Sequence, residues 1–211
     1  ESVYQHCLRA LNCAAQRRGK NGLLLMGSCD WNDAFSLVGE KGRGESVFST
    51  LLFIIVAEKF IPIVKSRGDD EAADFFKNTA DELRSIVEEK AYFGDRYARA
   101  ICDDGTVLGI EGCEECEIDI LSQAFAALAG LDGERTKKAL TIAFSKLYDG
   151  KNKIFKLFSP PFSNGNARVG YIRGYVAGIR ENGGQYTHAA CWYLAALAAQ
   201  GDAERAGILL D

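Results

Sequence analysis

Of the 22 glycines in this 211-residue chain, five fall in residues 22–44, four in 93–117 and seven in 149–188. Glycine in quantity weakens helix and strand interiors and suits loops that must bend or pass close to something else. The stretches between these segments hold few glycines, and their apolar residues recur every three or four positions, as in helices facing a core. A chain so divided has one economical plan: helices joined by long, glycine-rich loops.

The spacing predicts helices over 3–17, 45–64, 69–92, 117–128, 187–199 and 202–210, and one running from an Asp132 N-cap to 148. Tyr4, Cys7, Leu8 and Leu11 mark the inward face of the first helix, and His6 is read as a structural histidine on that face. The second is apolar nearly all round, as a buried helix is, with Pro62 expected to kink or end it. Short β pieces are expected near 154–157 and 106–108, and no sequence repeat stands out. The expected class is all-α, an α/α toroid with its loops gathered at one end. Loops of such length in a compact domain usually carry function.

Composition narrows the function classes. At 47% apolar the chain can bury a sizeable core, and 211 residues suit one large domain. A net charge of −4 argues against a nucleic-acid partner, which would call for basic patches. The longest apolar run, 47–64, is interrupted by Glu58, Lys59 and Pro62, so no membrane segment is expected. No targeting segment is visible at the N-terminus. The chain starts at Glu1 and its one methionine is Met26, so it is expected to be a piece of a longer protein. Seven cysteines, an odd number set mostly in apolar or helical patterns, read as reduced thiols in a cytoplasmic setting.

Four stretches carry chemistry. Asp30-Trp31-Asn32-Asp33 sets two acids around an indole. An indole face suits the C–H groups of a sugar ring while Asp and Asn meet its hydroxyls, and a carboxyl beside an apolar plate favours its acid form. The same four residues also suit a capped turn anchored by Trp31. Arg180-Glu181-Asn182-Gly183-Gly184-Gln185-Tyr186-Thr187-His188 offers a Gly-Gly backbone and then a helix N-terminus, together an anion site or simply a tight turn and cap. Residues 111–119 hold five acids around Cys113 and Cys116. With no second cysteine pair and no histidine nearby, zinc is not expected, and the acids would raise the thiol pKa values. Tyr171-Ile172-Arg173-Gly174-Tyr175 could line a sugar or phosphate site or pack as an ordinary loop.

In order, GLLLMGSCDWNDAFSLVGEKGRGES, DDGTVLGIEGCEECEIDILSQAFAAL, FSPPF and GYIRGYVAGIRENGGQYTHAACW resemble the glycoside hydrolase family 94 phosphorylases. These are the cellobiose and chitobiose phosphorylases and, most closely, the phosphorylase region of cyclic β-1,2-glucan synthases. The resemblance runs from about Tyr4 to the C-terminus. It implies that residues 1–211 are part of an (α/α)6 barrel, with the rest of the barrel in the parent polypeptide. It also implies inverting phosphorolysis of a β-glucoside, β-1,2-linked as in the cyclic glucan synthases, giving α-glucose 1-phosphate. An inverting hydrolase uses two carboxyl groups; with phosphate as nucleophile, one acid and an anion site suffice. The resemblance matches Asp33 to the general acid, Trp31 to the subsite of the cleaved glucosyl unit, Glu181 to a sugar-contacting acid and His188 to a phosphate ligand. Asp30 and Gln185 are added as substrate-binding by proximity, and Thr187, Gly183 and Gly184 as phosphate-binding. No cofactor or metal is called for; phosphate is a co-substrate, and a homodimer is left open. The pattern departs at Cys29 and Ala34, where relatives carry glycines, at Ser36, where they carry Asn, and at Val176-Ala177, where they often carry Pro-Pro. A non-catalytic glucan-binding module, and a hydrolase using Glu181 or Glu114 as its second acid, are the rival readings.

Overall fold

The computed structural model describes residues 1–210. Seven α-helices span Val3–Gln16 (α1), Val47–Ser66 (α2), Asp70–Lys90 (α3), Ile120–Leu128 (α4), Gly133–Leu147 (α5), Thr187–Ala199 (α6) and Ala203–Leu210 (α7). They alternate in character. α2, α4 and α6 are apolar over most of their surface and form a row, α2 against α4 and α4 against α6. α3, α5 and α7 are amphipathic and back onto α2, α4 and α6 in turn. An arc of inner helices with outer partners results, an arrangement compatible with part of an (α/α)6 barrel.

The connections alternate as well. Inner helices pass to outer ones through short turns at 67–69, 129–132 and 200–202. Each has the same chemistry: a left-handed glycine just past the helix end (Gly68, Gly130, Gly201, φ 68–74°) and then an aspartate whose carboxylate caps the next helix (Asp69, Asp132, Asp202). The periodicity of this chain lies in these turns. Outer helices return through the long loops 17–44, 91–119 and 148–186, which all end at the N-termini of inner helices.

Nine two-residue strands stitch those loops, more than the two β pieces expected. β1 (Glu45–Ser46), immediately before α2, pairs antiparallel with β4 (Ala100–Ile101), which pairs with β5 (Val107–Leu108). β6 (Ile118–Asp119), immediately before α4, pairs with β9 (Phe158–Ser159). Two local hairpins join β2 (Tyr92–Phe93) to β3 (Arg96–Tyr97) and β7 (Tyr148–Asp149) to β8 (Ile154–Phe155). Asp103 adds a further tie: its carboxylate accepts the N–H groups of Lys41 (2.7 Å), Arg43 (2.9 Å) and Gly44 (2.9 Å), fixing the first loop to the second.

Four expectations need correction. α2 continues to Ser66 through Pro62. Pro62 and Glu58, whose carbonyl loses its bond, both lie on the exposed side, where water takes that carbonyl. α2 is also not buried all round: Leu52, Val56 and Ile63 form an exposed apolar stripe. By length and composition it is apolar enough to cross a membrane, with mean hydropathy 2.1 and half of that stretch buried, so the interruptions do not exclude a span as expected. His6 is exposed, 3.5 Å from the Glu1 carboxylate, and not on the inner face. Two positions from Tyr4 it sits about 200° away around the helix.

Candidate active site

The first and third loops meet at the start of α6. Trp31, on the first loop, packs edge-on against Tyr186 (5.1 Å between ring centroids), His188 (5.6 Å) and Trp192 (5.7 Å). His188 and Trp192 stand one helical turn apart on α6, with ring centroids 4.1 Å apart. Phe48 of α2 and Phe125 of α4 back Trp192, so all three inner helices support the aromatic cluster. The Trp31 indole N–H donates to His188 Nδ1 at 3.4 Å. With Nδ1 accepting, the proton of the neutral ring resides on Nε2, which is then a donor.

The two acids of the first motif separate. Asp33 is exposed, with the Cys29 Sγ 3.8 Å from its Oδ1. The Asp30 side chain is 1% exposed and does not join a sugar-facing surface. Its oxygens accept both terminal nitrogens of Arg99 (2.6 and 2.8 Å), the Ser46 hydroxyl (2.7 Å) and the Asn32 N–H (2.9 Å). Burial alone would raise the Asp30 pKa, but Arg99 and the hydrogen bonds hold it below the ordinary carboxylate value. Arg99 itself is fully buried, 5.1 Å above the Phe35 ring and 5.6 Å above Phe48, with its Nε 3.3 Å from Asp119. Asp119 caps α4 through Leu121 N–H (2.7 Å), and burial pushes its pKa up to about 6 against the pull of Arg99. Asp30, Arg99 and Asp119 thus lock the first two loops to the N-termini of α2 and α4.

The RENGG segment divides in the same way. Glu181 is 18% exposed; its Oε1 accepts the Tyr186 hydroxyl at 3.1 Å. Arg180 Nε lies 3.4 Å from Oε2 but off hydrogen-bonding geometry, so that oxygen has no donor among the described residues. Asn182 is buried and bonds Phe162 N–H, Phe162 C=O and Tyr175 C=O. Gly183 and Gly184 are buried too: a Cβ on Gly183 would meet Phe158 O at 2.9 Å, and on Gly184 the Arg180 carbonyl at 2.9 Å. Their closeness is to the chain's own backbone, and the Gly184 N–H already donates to Arg180 O. The expected Gly-Gly anion cradle is therefore filled from within.

Gln185 and Thr187 also face elsewhere. The Gln185 side chain accepts the Phe155 N–H, and both residues line a cavity of about 220 Å³ with Tyr148, Cys191 and Leu194. Arg173 is committed to Glu115 through two bonds of 2.8 and 2.6 Å and packs on Phe162. Although desolvation opposes it, that pairing with the Ser163 and Gly165 N–H groups holds Glu115 down to about 2. Larger hollows of about 610 and 620 Å³ on the flank of α5 contain none of the expected site residues.

α6 differs from its neighbours at its start. Side chains of Ser2, Ser46, Asp69, Asp119 and Asp132 cap α1 to α5, whereas Tyr186 caps α6 without a side-chain acceptor. Its first-turn N–H groups are left for an acceptor from outside, beside His188. Sequence reasoning missed Tyr186, Trp192 and Arg99. The first two were legible as aromatics two residues before and four after His188; a lone arginine in the apolar run Ala98–Ile101 was the only sign of the third.

A family profile described as "Glycosyl hydrolase 94 superfamily, catalytic domain" matches residues 1–211. The chain is 40% identical over 205 residues to the cyclic beta-(1,2)-glucan synthase NdvB of Rhizobium meliloti (strain 1021), covering 97% of this chain and 7% of that protein. It is 35% identical over 191 residues to the 3-O-beta-D-glucopyranosyl-beta-D-glucuronide phosphorylase of Paenibacillus borealis, covering 89% and 24%. With the N,N'-diacetylchitobiose phosphorylase of Vibrio furnissii it shares 28% identity over 208 residues, covering 97% and 25%. The chain thus spans a quarter or less of these relatives.

Proposed function

The chain belongs to the catalytic-domain family of the glycosyl hydrolase 94 superfamily, and on that premise we propose that its parent protein cleaves a β-linked glucan by inverting phosphorolysis, releasing α-glucose 1-phosphate. The observation that carries this reading is the meeting of Trp31 with His188 across 157 positions of sequence, beside the exposed Asp33.

In this reading Asp33 donates its proton to the glycosidic oxygen as the bond breaks. Trp31 packs on the ring of the glucosyl unit, and Glu181, held by the Tyr186 hydroxyl, accepts one of its hydroxyls. His188 donates from Nε2 to inorganic phosphate. The first-turn N–H groups of α6, Thr187 among them, favour the same anion through the helix dipole. Phosphate then attacks the anomeric carbon from the face opposite the leaving oxygen, which inverts the centre. Asp30 serves this chemistry indirectly, by fixing the turn that carries Trp31 and Asp33. The 40% identity to a cyclic beta-(1,2)-glucan synthase favours β-1,2-linked glucose as substrate, with the rest of the parent polypeptide completing the ring.

The test uses the full-length parent with β-1,2-gluco-oligosaccharides, with and without inorganic phosphate. Phosphate-dependent release of glucose 1-phosphate is expected. Free glucose as the product would replace phosphorolysis by hydrolysis, and binding without turnover would leave a glucan-binding module.

A further inference from the structure

A second aromatic group lies beside Asp33, and the mechanism above does not use it. Trp31 is engaged with Tyr186, His188 and Trp192. Tyr171 instead meets Tyr175 edge-on at 6.0 Å and is 51% exposed. An exposed tyrosine by itself means little; the way this one is held is what matters. It opens a 3-10 turn, Tyr171–Gly174, that docks on the turn containing Asp33. Ile172 N–H donates to Ala34 O (3.1 Å), Leu37 N–H to Val169 O (3.3 Å) and Tyr171 N–H to Ser36 Oγ (3.4 Å). Ile172 is fully buried beneath the turn. At Gly170 (φ +117°) the two backbones are so close that a Cβ would lie 2.5 Å from Ser36 Oγ and 2.7 Å from Ala34 O. Tyr175 is covered in turn by the Arg180 guanidinium, 4.4 Å from its centroid. The Tyr171 ring is therefore free on one side while its backbone is fixed relative to Asp33. Partial desolvation, then neighbouring Tyr175, Asp33, Cys29 and Glu181, push the pKa of its hydroxyl up further, and the phenol is a neutral hydrogen-bond donor.

A general acid at a glycosidic oxygen stands between two sugar units. Trp31, joined to the phosphate-side histidine, addresses the unit that leaves as glucose 1-phosphate. We propose that Tyr171, buttressed by Tyr175, is a binding platform for the saccharide on the other side of the scissile bond. The phenol ring packs on a pyranose face and the hydroxyl donates to a sugar oxygen. This assignment rests on Asp33 being the general acid.

The synthetic direction separates the two sides, because glucose 1-phosphate and the acceptor saccharide bind as different molecules. In the full-length protein, Tyr171→Ala is expected to raise KM for β-1,2-linked glucotriose as acceptor about tenfold and to leave KM for glucose 1-phosphate within about twofold. Tyr171→Phe, which keeps the ring, should hold the acceptor KM within about threefold of the wild-type value and covers the case in which the alanine variant folds poorly. Equal rises for both substrates, or an unchanged acceptor KM, would overturn the platform. If the wild-type protein makes no product from glucose 1-phosphate, the phosphorylase reading fails. Calorimetric titration with the glucotriose then decides the platform alone: about tenfold weaker binding by Tyr171→Ala supports it, and unchanged binding refutes it.

Discussion

Asp30 and Asp33 sit three residues apart in one motif and have opposite surroundings. Asp30 is enclosed, held by Arg99, Ser46 and Asn32; Asp33 is exposed, with only a long thiol contact from Cys29. The same carboxylate becomes a fastener in one place and, in the proposed reaction, the acid in the other. Burial and partners decide which, and one tight turn supplies both because Trp31 and Asn32 between them anchor it.

The contrast can be broken in four ways. The largest effect belongs to the exposed acid. Asp33→Asn in the full-length protein should lower phosphate-dependent release of glucose 1-phosphate by roughly 10²–10⁴-fold while leaving the melting temperature unchanged. A variant with near-normal turnover would end its assignment as the acid. Next comes the buried group. Arg99→Ala leaves two enclosed carboxylates unpaired and should cost about 3–5 kcal/mol, read as a lower urea midpoint; a loss under about 1 kcal/mol would mean that the cluster fastens nothing.

A smaller effect is expected from pH. Asp119, raised in the fold from 3.8 to about 6, favours the folded state most while protonated. That contribution is present below pH 4 and lost as pH rises to about 6. Asp30, held low by Arg99, acts in the opposite sense, stabilising above its ordinary pKa and losing that contribution as pH falls. Asp119→Asn can still cap α4 and should gain on the wild type in urea midpoint from pH 4 to pH 7. Parallel curves for the two proteins would contradict the raised pKa. Smallest of all is Cys29→Ser, expected to change stability by no more than about 0.5 kcal/mol. A larger loss would show that the thiol near Asp33 is part of the fastening and not of the open side.

Much of the architecture was legible because helices announce themselves locally. α6 falls where the periodicity puts it, and the Asp132 cap starts α5. Trp31 and His188 could be named from their motifs, and the structure brings them together. What stayed hidden was pairing across loops. Nothing near Asp30 indicates that an arginine 69 positions later will take both its oxygens. Likewise Arg173, between two tyrosines, looked free for a ligand until Glu115 claimed it. Gly183 and Gly184 promised an open backbone because glycine signals close approach without saying to what. The exposed stripe of α2 was missed for a related reason, since an all-apolar helix carries no mark of which side lacks a neighbour in this chain.

The alternation of short turns and long loops also bears on the order in which the molecule assembles. The pairs α2–α3, α4–α5 and α6–α7 close over turns of a few residues, so each can form early at small entropic cost. The contacts that join the loops at the inner-helix N-termini link positions far apart: 30 to 46 along the first loop, 30 to 99, and 31 to 188. Such long-range closures come late in folding. The chain therefore brings Trp31 and His188 together only once the whole arc is in place, and a partly folded intermediate would carry helices without that meeting of loops.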